Sequence, residues 1–172
     1  MKRDCLEAPN VVGLLPGNDP KLKNEYLVLS AHLDHLGVGR PVNGDSIYNG
    51  AMADASGIAP ILEVARILKA SGAKPKRSII FLAVTAEEQG ELGSRYFAAH
   101  PAVPAGQIIG DINLDMFLPL YALQYIEVQG LGESTLGDAA RAAAALFDRV
   151  ILKLVERVAD DPARPHWYQL AP

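Results

Sequence analysis

The sequence has few of the features of secreted disulfide scaffolds or membrane proteins. Cys5 is its only cysteine, so no disulfide can form within the chain and the redox compartment stays open. No apolar run approaches the roughly 20 residues of a membrane helix, and no apolar signal segment follows the basic Met1-Lys2-Arg3. We therefore expect no membrane partner, and the compartment is undetermined.

Charge is also sparse, and neither sign dominates. The 16 Lys and Arg against 20 Asp and Glu give a net charge of −4, which argues mildly against a nucleic acid partner. With 172 residues, of which 49% are hydrophobic and 21% charged, the chain has enough apolar content for a core. We expect a single soluble globular domain over residues 1–172.

Strand-like and helix-like segments alternate along the chain. Short apolar runs predict strands at 26–31, 77–84, 107–114 and 125–128. Apolar residues at helical spacing predict helices from Ser56 to the Ser71-Gly72 stop, over 91–99, after a cap at Ser134 or Thr135, and along a last stripe of Phe147, Val150, Ile151, Leu154 and Val158. The Gly- and Asn-rich stretch 37–50 predicts a loop. This alternation favours a three-layer α/β sandwich around a mostly parallel, doubly wound mixed sheet.

Side chains that bind metals follow three of the predicted strands. They are His32 and Asp34 after the first strand, Glu87 and Glu88 after the second, and Asp115 after the third. Each alone is more often structural, as a hydrogen-bonded histidine or a glutamate at a helix N-terminus. Because the carboxyl ends of parallel strands meet at one edge, we expect the three groups to converge. Nitrogen and oxygen donors suit zinc. Two adjacent glutamates suggest that one binds the metal and the other transfers protons as a general base.

Four ordered motifs carry a resemblance to a known family. They are His32-Leu33-Asp34; Tyr48-Asn49-Gly50-Ala51 with Ala55-Ser56-Gly57; Ala86-Glu87-Glu88-Gln89-Gly90 with Leu92-Gly93-Ser94; and Asn113-Leu114-Asp115-Met116. Over roughly residues 9 to 140 the chain resembles the co-catalytic zinc aminopeptidases of metallopeptidase family 28, which also includes relatives of glutamate carboxypeptidase and glutaminyl cyclase. The resemblance implies a hydrolase that releases N-terminal residues from peptides, with two zinc ions bridged by water and a carboxylate.

The resemblance also implies a role for each of the five candidate residues. His32 and Asp115 would bind one zinc ion, and Glu88 would bind the other. Asp34 would orient the imidazole of His32. Glu87 would be the general base that accepts a proton from the metal-bound water.

Two departures from the family pattern weaken the expected site. Ala53 stands where the family has its bridging carboxylate, and a methyl group cannot bind zinc. Asp54 is the candidate substitute ligand, although a residue one step along a turn is expected to point elsewhere. The family's distal histidine is missing from the sequence after Asp115, as if a block near 140–147 were deleted, and His166 is expected to be a tail residue.

The surviving ligands determine the predicted activity. Catalytic zinc normally takes three protein ligands plus water, so we expect one weakly bound ion or none. The sequence thus predicts a truncated zinc-peptidase-like core of the aminopeptidase family with impaired or no activity; the alternative is a non-catalytic binding module or degenerate fragment with a weak residual zinc site. A shortened core would expose apolar surface for a partner or a second copy to cover. Relatives are often secreted or periplasmic, and substrate specificity stays open.

Overall fold

The computed structural model describes residues 7–116, 125–146 and 151–155. The chain divides into two compact units, Met1–Leu118 and Pro119–Pro172. Within the described ranges, every helix is too short or too polar to cross a membrane.

The first unit contains six strands, four of which form one mixed sheet. Its strands are β1 (Val11–Leu15), β2 (Tyr26–His32), β3 (Gly37–Val42), β4 (Asp45–Tyr48), β5 (Ser78–Val84) and β6 (Ile108–Asn113). The main sheet has the order β1-β5-β2-β6, in which β2 runs parallel to both β5 and β6, and β1 runs antiparallel to β5. The predicted mostly parallel mixed sheet is confirmed, with strand ends within about one residue of the expected ones.

Two helices connect the parallel strands. Helix α1 (Ser56–Ala70) precedes β5, and α2 (Leu92–Ala99) follows it. The step from β2 to β5 and the step from β5 to β6 run in opposite directions across the sheet. Because such crossovers are right-handed, the two helices lie on opposite faces of the sheet. This is the predicted three-layer, doubly wound arrangement.

The main buried cluster lies on the α2 side of the sheet, while Ala31 of β2 and Ile61 of α1 are also buried. Val28, Ile80, Leu82 and Val84 form a buried cluster, against which Phe97 of α2 packs. On β5 every second side chain is buried and those between are half-buried, so the expected burial on both faces is only partly realised. Ser30 and His32 point to the same face as Val28, because side chains alternate along β2. The metal-binding end of β2 therefore continues directly from the core.

The stretch 37–50 is a β-hairpin, not the predicted loop. Strands β3 and β4 pair antiparallel, and Val42 faces Asp45 across a two-residue turn. Asn43 and Gly44 in that turn have φ of 52° and 88°, the positive values of a type I′ turn. The prediction was wrong because Gly and Asn are typical of loops in general, whereas the Asn43-Gly44 dipeptide specifically favours the tight turn of a hairpin.

The second unit contains β7 (Tyr125–Gln129), α3 (Leu136–Ala144) and β8 (Ile151–Val155). Strands β7 and β8 pair in parallel. The final helix predicted through Ile151 and Leu154 is therefore wrong, because a short, largely apolar segment such as Ile151–Val155 fits a strand as well as a helix. Phe147, Val150, Val158 and His166 lie outside the described residues. Helix α3 follows Thr135 as predicted, and Ser134 Oγ accepts a hydrogen bond from the backbone N of Leu136 at 3.2 Å.

Several large apolar side chains of the first unit are exposed. Those more than half exposed include Val11, Leu14, Val38, Ile47, Leu62 and Tyr96. Exposed apolar side chains are thus found on β1, on the hairpin and on both helices, and the apolar interaction surface expected from the sequence stays a prediction. The same holds for a partner or second copy covering it.

Candidate metal centre

The three parallel strands deliver the candidate residues to one edge of the sheet. His32 is the last residue of β2, Glu87 and Glu88 follow the end of β5, and Asp115 follows β6. Pairing continues past the strand ends, because Leu33 N donates to Val84 O at 2.7 Å and Leu114 N donates to Ser30 O at 2.9 Å. These backbone bonds fix the three segments side by side.

Three donor side chains meet at this edge. One ligand atom each from His32, Asp54 and Asp115 lies within 4.8 Å of the other two. His32 Nε2 is 3.8 Å from Asp115 Oδ1. One imidazole nitrogen and two carboxylate oxygens are a donor set that suits zinc and leaves a fourth position for water.

Asp54 reaches the group because the backbone around it is irregular. The short π-helical turn Ala51–Ala55 contains non-helical dihedral angles at Ala53 (φ −115°, ψ 89°) and Asp54 (φ −144°, ψ 41°). The side chain of Asp54 is thereby turned inward and is 1% exposed. The sequence-based expectation that a residue one step along the turn points elsewhere assumed regular geometry. Ala53 itself contributes only a methyl group.

The carboxylate of Asp54 has one oxygen satisfied and one free for a cation. Its Oδ1 accepts hydrogen bonds from Gly57 N at 2.9 Å and Met116 N at 3.2 Å. Its Oδ2 is buried without a hydrogen-bond partner. A buried polar atom without a partner is costly, and a cation between Asp54, His32 and Asp115 would satisfy it. The residues therefore fit a metal ion.

Asp34 orients the imidazole, mainly through its backbone. His32 Nδ1 donates to the Asp34 carbonyl at 2.9 Å, while the Asp34 carboxylate Oδ1 lies 3.8 Å from the same nitrogen. With the proton on Nδ1, Nε2 is left facing Asp115 as a ligand. Asp34 Oδ1 also accepts a hydrogen bond from Glu87 N at 3.2 Å, so it joins the loop after β2 to the loop after β5.

Glu88 lies apart from the three-residue group and contacts His35, a histidine outside the four motifs described above. His35 Nδ1 lies 2.7 Å from Glu88 Oε1, and each side chain is 23% exposed. No sequence motif assigns a role to His35. Only its position one residue after Asp34 could have drawn attention to it.

The electrostatics of the centre follow from several acidic groups around one imidazole. Burial alone would lower the pKa of His32, but the nearby carboxylates of Asp115 and Asp54 raise it to about 9. Burial, followed by the charge of Asp115, raises the pKa of Asp54. Burial also raises the pKa of Glu87, and Glu88 and Asp115 add to that increase while His32 opposes it. In the metal-free chain, the proton on His32 balances part of the negative charge of the carboxylates. A bound cation would take over that role.

A separate cleft of about 350 Å³ lies between the sheet and α2. Its lining includes Ser30, Asp111, Asn113, Ser94 and Phe97 but none of the metal donors. The candidate metal site at the strand ends is therefore separate from this cleft.

Comparison with known proteins finds one matching family model and several similar proteins. The model for peptidase family M28 matches residues 10–163. The chain is 36% identical over 106 residues to a probable zinc metalloprotease of Pyrenophora teres f. teres, covering 62% of this chain and 22% of that protein. It is 33% identical over 159 residues to a probable leucine aminopeptidase 2 of Aspergillus oryzae, covering 91% of this chain and 28% of that protein.

A solved structure supports the fold. A zinc aminopeptidase from Bacillus subtilis superposes with a TM-score of 0.61 at 26% identity, covering 82% of this chain and 33% of that one. The chain thus spans about a fifth to a third of the length of these relatives.

Proposed function

The chain belongs to peptidase family M28, and on that basis we propose that it is a zinc-dependent hydrolase of the aminopeptidase type, with one principal zinc ion held by His32, Asp54 and Asp115. The observation that carries the proposal is the convergence of these three donors within 4.8 Å, with a buried Asp54 oxygen that has no other partner. Three protein donors and one open position are the arrangement of a catalytic rather than a structural zinc site.

Zinc, when bound, lowers the pKa of a bound water and polarises a substrate carbonyl. The side chains of Asp34 and Glu87 would supply positioning and proton transfer. Asp34 holds the imidazole of His32 through its carbonyl and fixes Glu87 through its carboxylate. Glu87 accepts a proton at its carboxylate and returns it to the leaving amine. A raised pKa suits this exchange, because it brings the carboxyl group closer to neutral pH.

Action at the N-terminus of a peptide is supported by charge. Glu87, Glu88 and Asp115 give the edge of the sheet an acidic rim, which attracts a protonated α-amine. The similarity to a leucine aminopeptidase and to a zinc aminopeptidase points the same way. Turnover is expected to be far below that of a two-zinc member, since Ala53 offers no bridging donor.

The test is hydrolysis of leucine p-nitroanilide by the metal-stripped chain with and without added zinc. We expect weak, zinc-dependent release of nitroaniline and none from the N-acetylated substrate. Glu87→Gln should abolish turnover while zinc binding persists, because the amide cannot accept the proton. Glu63→Gln is the matched control, since Glu63 is an exposed helix residue paired with Arg66.

Two outcomes would contradict this proposal. Equal cleavage of the acetylated substrate would remove the requirement for a free amine. Zinc bound without any turnover would favour the alternative of a non-catalytic binding module, for which the specific observation is Ala53 at the bridging position.

A further inference from the structure

Strand β1 forms an edge of the main sheet that lacks the usual protection against pairing with another chain. Its five residues carry no charge and no proline, and their register with β5 contains no bulge. Other strand edges that the structure describes differ, since β6 contains Asp111 and β3 contains Arg40 and Pro41. Charged residues, proline and bulges are the devices by which proteins keep edge strands from pairing. Strand β1 is therefore suited to accept a further strand.

Both ends of this edge strand are fixed to the rest of the first unit. At its start, the Asn10 side chain donates to Gly93 O at 2.8 Å and accepts a hydrogen bond from Thr85 N at 3.1 Å. Beyond its end, Gly17 N donates to the Ser78 hydroxyl at 2.9 Å. The open edge is thus held in strand conformation before a partner binds, which lowers the entropy cost of pairing.

Two side chains of β1 extend the apolar face that carries the buried cluster. Val12 lies opposite Leu82 and Leu14 opposite Ile80, so both point to the face on which Leu82 and Ile80 are buried. Val12 and Leu14 are nonetheless 42% and 54% exposed. A strand added beside β1 would continue this apolar layer and remove both side chains from water.

We infer that β1 pairs with β1 of a second copy of this chain, antiparallel across a two-fold axis beside Gly13. Side chains directly opposite each other in a sheet point to the same face, so the axis has to pass beside a residue that is paired with its own copy. Gly13 is the central residue of Val11–Leu15, and this register alone pairs all five residues. It sets Val12 of one copy opposite Leu14 of the other. Because β1 is uncharged, like charges do not oppose this self-pairing.

The first test is sedimentation velocity of the full chain over a range of concentrations. We expect a concentration-dependent dimer that Val12→Lys abolishes, because the ammonium group would lie beside Leu14 of the other copy. Val38→Lys is the matched control, since Val38 is an apolar strand residue of the hairpin that is 78% exposed, and it should leave the dimer intact.

The second test is cysteine cross-linking, which probes the register. In a Cys5→Ser background, Gly13→Cys should fold, because an added Cβ stands at an ordinary 3.7 Å from Phe81. Directly paired Cα atoms are about 4.5–5.5 Å apart, a distance that a disulfide spans. Oxidation should link Gly13→Cys chains into dimers and leave Val38→Cys chains in the same background unlinked.

Cross-linking decides the question even if Val12→Lys fails to fold. A chain that is monomeric at every concentration, a dimer that folded Val12→Lys leaves unchanged, or a dimer that Gly13→Cys fails to link would each overturn the inference.

Discussion

Zinc affinity should rise steeply with pH above neutrality, because the ion has to displace a proton from His32. The pKa of that imidazole is about 9. At pH 7 about one molecule in 100 therefore has a neutral His32, and at pH 9 about half do. The apparent dissociation constant should fall about 50-fold over this interval, against about 1.3-fold for an ordinary histidine of pKa 6.5. The raised pKa of Asp54 adds a further loss of affinity on the acid side.

The assay is competition with a chromophoric chelator at pH 7, 8 and 9, with the chelator's own pH dependence measured in parallel. Calorimetry in buffers of different ionisation enthalpy counts the protons released, and about one per tightly bound zinc is expected at pH 7. His100 is an exposed histidine at the end of α2 that stacks on Tyr96, so the control variant His100→Ala should behave as the unchanged chain does. An affinity that changes less than twofold between pH 7 and 9, without proton release, would refute the assignment of His32 as a ligand surrounded by carboxylates.

Three further predictions concern the same edge of the sheet. The metal-free chain should lose thermal stability as pH rises from about 6.5 towards 9. The pKa of His32 is raised in the folded state, so the protonated imidazole stabilises the fold and that contribution disappears as the proton is lost. Added zinc should reverse the loss in a melting experiment. Gly57→Ala should weaken zinc binding, since its Cβ would meet the Asp54 carboxylate, while Gly106→Ala, with open space around it, should not. Ala53→Asp should strengthen zinc binding and raise hydrolysis of leucine p-nitroanilide by supplying the missing carboxylate; unchanged values in both assays would contradict this account of Ala53.

The elements that build the sheet could be predicted because their local signals agree. The apolar runs of β2 and β5 have strand length, and the helical pattern of α1 ends at a Ser-Gly stop. The hairpin β3–β4 and strand β8 were misread because their sequences fit two conformations and only pairing with a neighbouring strand decides between them.

The site was predictable in outline but not in its ligand geometry. Convergence of the strand ends follows from parallel topology alone. The inward turn of Asp54 depends on the dihedral angles at Ala53 and Asp54, which no spacing pattern encodes. The contact between His35 and Glu88 depends on how two loops approach each other in space. Such contacts arise from tertiary structure, so the sequence indicated the residue types but not these two placements.

The central claim is that Asp54 completes a zinc site with His32 and Asp115. The most direct test is zinc calorimetry on the metal-stripped Asp54→Asn chain. Asparagine keeps an oxygen for the Gly57 and Met116 amides but replaces the unpartnered carboxylate oxygen with an amide nitrogen that cannot bind a cation. We expect zinc binding at this site to be lost, while the control Asp45→Asn in the exposed hairpin leaves binding intact. Unchanged zinc affinity in Asp54→Asn would contradict the claim.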